Sequence, residues 1–192
     1  MTNSLLASTE KKQNRTTKLL SQILFDMLET TDFSKITVND ICINANVSRG
    51  TFYLYFEDKY DLLKFSIKEL GKIILERAEH VELESIFKSI IEILYEKRNI
   101  MMNLILGDKN NELNDMLSNA SITNCMHDME ELSKQGYTLN APPIVIANLV
   151  AGGSSYLIVW WIKSNFAFTN EEMTKYIYDF YKNLLSLYIT KD

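Results

Sequence analysis

Thr37-Val-Asn-Asp-Ile-Cys-Ile-Asn-Ala-Asn-Val-Ser-Arg-Gly-Thr-Phe-Tyr-Leu-Tyr-Phe-Glu-Asp-Lys59 carries three helix-start signals and one enforced turn. Thr37 is a good N-cap, and Asp40, three residues on, puts a carboxylate where a helix N-terminus favours one. Val38, Ile41, Cys42 and Ala45 recur at helical spacing and form one apolar face. Asn46 stands where the chain has to turn, and asparagine tolerates left-handed backbone angles better than any residue except glycine. Val47 plugs the turn. Ser48 caps a second short helix expected to run through Phe56, and Asp58 caps a longer one expected to reach Glu79.

Upstream, Leu19, Leu20, Ile23, Leu24, Met27 and Leu28 form an apolar stripe at spacings of three and four, which predicts a helix over residues 12–31. Phe33 and Ile36 read as apolar plugs in the connection. Two short helices joined by a tight turn and packed on a longer one make a helix-turn-helix. In that geometry the second short helix enters the major groove of DNA and presents its N-terminal residues to base edges. Its outer face carries Arg49, Gly50 and Tyr53, with Phe52 and Phe56 turned inward. Arg49 can donate a bidentate pair to guanine, a geometry lysine cannot copy. Gly50 lets the backbone come close to the duplex. Thr51, Tyr55 and Lys59 suit phosphate contacts, which fix register without reading sequence. For Tyr53 and Tyr55 the alternative is packing within the small domain.

The bulk composition agrees with a helical, core-forming chain. Of 192 residues 46% are hydrophobic and 11% aromatic, enough for a sizeable core and too many for intrinsic disorder. With 6 Gly and 2 Pro, the chain lacks the turn formers that an all-β fold of this length needs. The formal net charge of −5 does not by itself suggest a nucleic-acid binder, but the first 70 residues are charge-balanced and the deficit falls on the rest. A phosphate-binding surface needs only local positive charge. Lys11, Lys12, Arg15 and Lys18 supply some, either as an arm near the DNA backbone or as a solvated helix start. Cys42 and Cys125 are too few and too far apart for a disulfide framework or a zinc site. His80 and His127 have no ligand spacing around them. No metal, cofactor or catalytic residue is expected, since the chain shows no Ser/His/Asp order, phosphate loop or dinucleotide glycine pattern. No secretory signal is visible, so a cytoplasmic location is expected. The apolar run over residues 144–162 is broken by Asn148, Gly152, Gly153, Ser154 and Ser155, and reads as a buried helix rather than a membrane span.

The run Phe33-Ser-Lys-Ile-Thr-Val-Asn-Asp-Ile, followed by Ala45-Asn-Val-Ser-Arg-Gly-Thr-Phe-Tyr-Leu-Tyr-Phe-Glu-Asp-Lys59, closely resembles the TetR family of bacterial regulators. That resemblance covers residues 12–65. It implies operator binding as a homodimer, with Arg49, Gly50, Thr51 and Tyr53 in or beside the groove and Thr37, Ser48, Tyr55 and Lys59 on phosphates. One departure is Asn46, where the family usually has glycine. The implied architecture is all-α, with about nine helices: a helix-turn-helix domain over residues 1–58 and a helical effector-binding and dimerisation domain over 59–192.

Past Glu79 the pattern stays helical. Ile86, Phe87, Ile90, Ile91, Leu94 and Tyr95 predict an amphipathic helix, Ile100 to Leu106 a short apolar one, and residues 111–134 a further helix. Residues 135–143 read as a connecting loop. A long helix is expected from Pro143, favourable in a first turn, to Lys163. Thr169 and Glu172 form a capping box for the last helix. The TetR resemblance implies that the last two helices pair with their copies in a second subunit. Gly152, Ser155, Trp161, Tyr181, Leu184 and Tyr188 are the candidates for that interface, and monomer core is the alternative for the Trp pair. An effector pocket is expected between the two functional regions, with Phe65, Tyr95, Met101, Met102, Met116, Met126 and Trp160 as candidate lining. A methionine or aromatic at helical spacing is more often plain core, which is the alternative for each of them. Few charged residues converge there, which favours an apolar or weakly polar effector. Residues 98–108 and Trp160-Trp161-Ile162 loosely resemble the C-terminal domain of DhaS-like TetR regulators, a group whose members can act as activators or bind protein partners. The expected function is a sequence-specific regulator, a repressor released by a small molecule or partner; the alternatives are an activator or an interaction module that recruits a partner.

Overall fold

The computed structural model describes residues 2–78, 82–107 and 112–191, and side chains outside the first helical turns and segment edges. Nine α-helices lie among the described residues: α1 (Thr2–Leu28), α2 (Val38–Asn44), α3 (Arg49–Tyr53), α4 (Lys59–Arg77), α5 (Leu83–Glu96), α6 (Arg98–Gly107), α7 (Glu112–Lys134), α8 (Pro143–Lys163) and α9 (Asn170–Tyr188). A 3-10 turn, Phe33–Lys35, links α1 to α2. The all-α class is as expected. His80 and Asp108, and the side chains of Lys11 and Lys12, lie outside the described residues.

Two short strands were not foreseen. β1 (Tyr137–Leu139) pairs antiparallel with β2 (Ile189–Lys191), Thr138 opposite Thr190, inside what reads as a loop. Each strand is three residues long and its partner lies at the far end of the chain, so no local alternation reveals it. Helix ends differ modestly from expectation. α1 begins at Thr2 instead of near Lys12, and α3 stops at Tyr53 rather than running through Phe56.

The apolar stripes end where their spacing points them. Leu20, Leu24 and Leu28 of α1, Phe33, Ile36, Ile41, Phe52, Leu62 and Leu63 are all buried in one cluster, which continues through α5 and α6 to Trp161 and Ile177. A second cluster holds Cys125, Met129, Ile146, Ala147, Val150 and Tyr181 between α7, α8 and α9. Small residues let these helices approach. A Cβ on Gly153 would sit 2.3 Å from the Phe180 ring, so glycine there is what lets α9 lie on α8. α8 is long and apolar enough to cross a bilayer by length and composition alone, yet it packs against α6, α7 and α9.

α6 is the joint between the two regions. A Cβ on Gly107 would meet Ser34 N at 2.8 Å and Phe33 N at 2.9 Å, so the end of α6 touches the 3-10 turn backbone to backbone. Asn103 Nδ2 donates to Leu28 O at 2.8 Å. That carbonyl ends α1 and has no partner within the helix, so Asn103 serves as its cap.

Candidate nucleic-acid interface

The frame of the interface is built by caps. Thr37 Oγ1 accepts from Asp40 N at 3.2 Å, while Asp40 Oδ2 accepts from Thr37 N at 3.0 Å and from Thr37 Oγ1 at 2.6 Å. This reciprocal box fixes the start of α2. The hydrogen bonds from Thr37 hold the Asp40 carboxyl below its ordinary range. α2 closes at Ala45, and Asn46 takes φ 52°, the left-handed turn that its position demanded. The following Val47 N–H returns to Cys42 O at 3.0 Å. Ser48 Oγ then accepts from Thr51 N at 3.0 Å and lies 2.9 Å from Thr51 Oγ1.

α3 divides cleanly into two sides. Phe52 is fully buried, tilted against Phe56 with ring centroids 5.7 Å apart, and Phe56 packs in turn on Phe65. Arg49, Gly50 and Tyr53 are exposed. Arg49 Nη2 donates to Tyr53 Oη at 3.4 Å, and its guanidinium carbon lies 5.9 Å from the Tyr53 ring centre. One turn of helix separates the two residues, so the ring steadies the guanidinium without removing it from solvent. Tyr53 in turn meets Phe52 edge-on at 5.5 Å. A Cβ on Gly50 would touch only Ser48 Oγ, at an ordinary 3.6 Å, so the fold itself does not require glycine there. Tyr55 is half-buried against the core.

Lys59 is placed differently from the sequence expectation. Its Nζ donates to Phe33 O at 2.7 Å and to Ile36 O at 2.9 Å, and lies 4.5 Å over the Phe33 ring. Two of the three ammonium protons are thus committed to the backbone between α1 and α2. The first turn of α4 is clamped to that connection. In the basic stretch, Arg15 and Lys18 are exposed, and Lys18 Nζ stands 3.9 Å from Glu69 of α4.

Sequence reasoning passed over Leu54, the C-cap of α3, which is 76% exposed. The available signal was its spacing: it stands four residues after Gly50 and therefore on the same face.

The residues expected to line an effector pocket divide among three settings. Phe65, Met101, Met102 and Met116 belong to the larger cluster and Met126 to the second, whereas Tyr95 and Trp160 are exposed at the surface. Tyr95 meets Phe166 edge-on, and Trp160 leans on Phe168. A polar group sits inside the second cluster. The Tyr181 hydroxyl is within hydrogen-bond reach of Cys125 and Asp128, and burial pushes the Cys125 thiol up to about 11. Ser154 Oγ is the one buried side-chain polar atom among the described residues without a hydrogen-bond partner.

The residues expected to pair divide between the protomer interior and its surface. Trp161 is fully buried, with its indole N–H donating to Phe168 O at 2.9 Å, so it belongs to the protomer interior. Ser155 and Tyr181 are buried as well, and Leu184 and Tyr188 pack against the second cluster. Gly152 does open outward, with nothing within 4 Å of its Cβ position. The outward side of α8 is set by helical phase: Val145, Leu149, Gly152, Tyr156 and Trp160 are spaced by three and four and are exposed. Tyr176 and Leu187 are the large apolar side chains that α9 exposes. Adjacent residues on a helix point about 100° apart, which is why Trp160 and Trp161 part company.

Residues 25–64 match the family model described as bacterial regulatory proteins, tetR family, and residues 82–183 match a transcriptional regulator C-terminal region. Over 67 residues the chain is 33% identical to the uncharacterized HTH-type transcriptional regulator YxbF of Bacillus subtilis (strain 168), covering 33% of this chain and 18% of that protein. Over 103 residues it is 24% identical to the HTH-type dhaKLM operon transcriptional activator DhaS of Lactococcus lactis subsp. lactis (strain IL1403), covering 53% of this chain and 55% of that one. The matches thus span about a fifth and about half of these curated relatives. The solved structure of the dihydroxyacetone kinase operon activator DhaS superposes with a TM-score of 0.65 at 14% identity, over 91% of this chain and 98% of that one. At that identity the likeness is one of fold.

Proposed function

This chain belongs to the TetR family of bacterial regulatory proteins, and from that premise we propose that it binds operator DNA as a homodimer and regulates transcription in the cytoplasm. One observation carries the reading: α3 buries Phe52 and turns Arg49, Gly50 and Tyr53 to solvent directly after a left-handed turn at Asn46. Arg49 reads guanine through a bidentate pair, Gly50 admits the backbone to the groove, and Tyr53 contacts a base edge. Ser48, Thr51 and Tyr55 meet phosphates, which set register. Thr37 and Lys59 act mainly by holding the frame, because their polar groups are already engaged with Asp40 and with the carbonyls of Phe33 and Ile36. Division of labour falls at Asp58/Lys59, with residues 1–58 for the duplex and 59–192 for effector and pairing. We assign no catalytic role to any residue.

Pairing uses the outward stripe of α8 with Tyr176 and Leu187 of α9, exposed apolar side chains of the kind that mark an interface. The effector is a small apolar or weakly polar molecule, or a protein partner. Ser154 is the candidate polar anchor for a small molecule, since a buried unpaired hydroxyl costs about 1–3 kcal/mol, which a ligand group would recover. Binding favours one spacing of the two reading heads, and operator affinity changes only by the ligand's differential affinity for the two states. α6 is suited to carry that bias, since it touches both α1 and the 3-10 turn. Repression relieved by the ligand is the leading scheme. Activation is the second reading, favoured by the activator named among the relatives.

Selection from a random duplex library tests the proposal. An inverted repeat is expected, with half-site centres about 34–36 Å apart or a multiple of it. Recovery of an unenriched pool would remove the DNA-reading role.

A further inference from the structure

We propose that Leu54 is a specificity residue that packs on the 5-methyl group of a thymine, the one apolar group on the major-groove edge of DNA. The inference rests on the reading of α3 as the duplex-facing helix. At 76%, Leu54 is the most exposed large hydrophobic side chain among the described residues. Its N–H donates to Gly50 O at 3.2 Å, so the two residues lie one turn apart in a single row. Gly50 bears no side chain although a Cβ would fit. The row therefore recedes at its first position and protrudes at its second, and the protruding part is hydrocarbon alone.

The surroundings of Leu54 narrow its partner. Along α3 and at its N-cap are a guanidinium, a phenol and the hydroxyls of Ser48 and Thr51, all suited to a polyanion that carries hydrogen-bonding edges. One leucine among such groups offers too little apolar area to seat a protein, which calls for a contiguous patch on the order of several hundred Å². A thymine methyl, in contrast, is a single carbon that one isobutyl group covers. Cytosine bears only a hydrogen at that ring carbon, and beside it an amino group that Leu54 would desolvate without pairing. Leu54 thus favours thymine and disfavours cytosine.

Deoxyuridine isolates the effect, because it pairs as thymine does and lacks only the methyl. A duplex that the wild-type protein selects from a random library is resynthesised with deoxyuridine at each thymine in turn. Wild type should bind about fourfold more weakly at one thymine per half-site, the loss expected for one buried methyl. Leu54→Ala, with unchanged circular dichroism, should bind the two duplexes equally. Leu75→Ala, exposed on α4 outside the helix-turn-helix, should keep the wild-type ratio. The proposal is overturned if Leu54→Ala keeps the thymine preference, or if wild type is indifferent to every deoxyuridine substitution. A wild type that selects no sequence overturns the reading of α3 itself and this proposal with it, a result distinct from the other two.

Discussion

The α2–α3 pair and the α8–α9 pair bury similar kinds of side chain, yet local sequence determines the first far more completely than the second. Between Thr37 and Tyr55, the polar contacts come from neighbours within about one helical turn: Thr37 with Asp40, Ser48 with Thr51, Arg49 with Tyr53. In α8 and α9 the surroundings come from afar. Trp161 is sealed by the loop carbonyl of Phe168 and by Phe166, and Tyr181 by Phe87 of α5 and Cys125 of α7. A reading head can be planned from a short motif; a bundle interior requires the whole packing solution.

Several substitutions would break or sharpen that contrast. The largest losses fall on the two interiors alike. Phe52→Ala and Trp161→Ala should each cost about 3–5 kcal/mol in urea unfolding, as removal of a buried aromatic does. A small loss for Trp161→Ala would mean that this side chain is not core. Next comes Lys59→Met, which leaves the carbonyls of Phe33 and Ile36 without their cation; about 1.5–3 kcal/mol should be lost, together with any duplex binding that depends on the frame. A Lys59→Met protein of full stability but weakened binding would return the side chain to the phosphate role. The smallest effect on protomer stability belongs to Tyr156→Asp, within about 0.5 kcal/mol for a side chain free of packing. The same change should convert the proposed dimer to monomers in sedimentation equilibrium, because a carboxylate would be buried in the proposed pairing surface.

The limits of the sequence reading follow the same line. Helical stripes, caps and the left-handed angle at Asn46 were legible because 3.6-residue periodicity and local hydrogen bonding fix them. The framing contacts of Lys59 were not legible, because its ammonium turns back to carbonyls 23 and 26 residues away, a distance no motif spells out. Which Trp of the pair is buried was not legible, because an apolar helix such as α8 carries hydrophobic residues on every side and its phase cannot be taken from composition. The β1–β2 ribbon was missed for a related reason, since Tyr137–Leu139 acquires strand character only from Ile189–Lys191. The methionines expected around an effector belong to two clusters, a division that sequence spacing does not spell out.

Base discrimination by Arg49→Ala tests the central claim most directly. On an operator recovered by selection, wild type should prefer guanine over each alternative at the contacted position by roughly five- to 150-fold, the range for a bidentate pair. The variant should lose that preference while its unfolding midpoint stays put, since Arg49 lies at the surface. A variant that still prefers the same guanine by the wild-type factor would contradict the account.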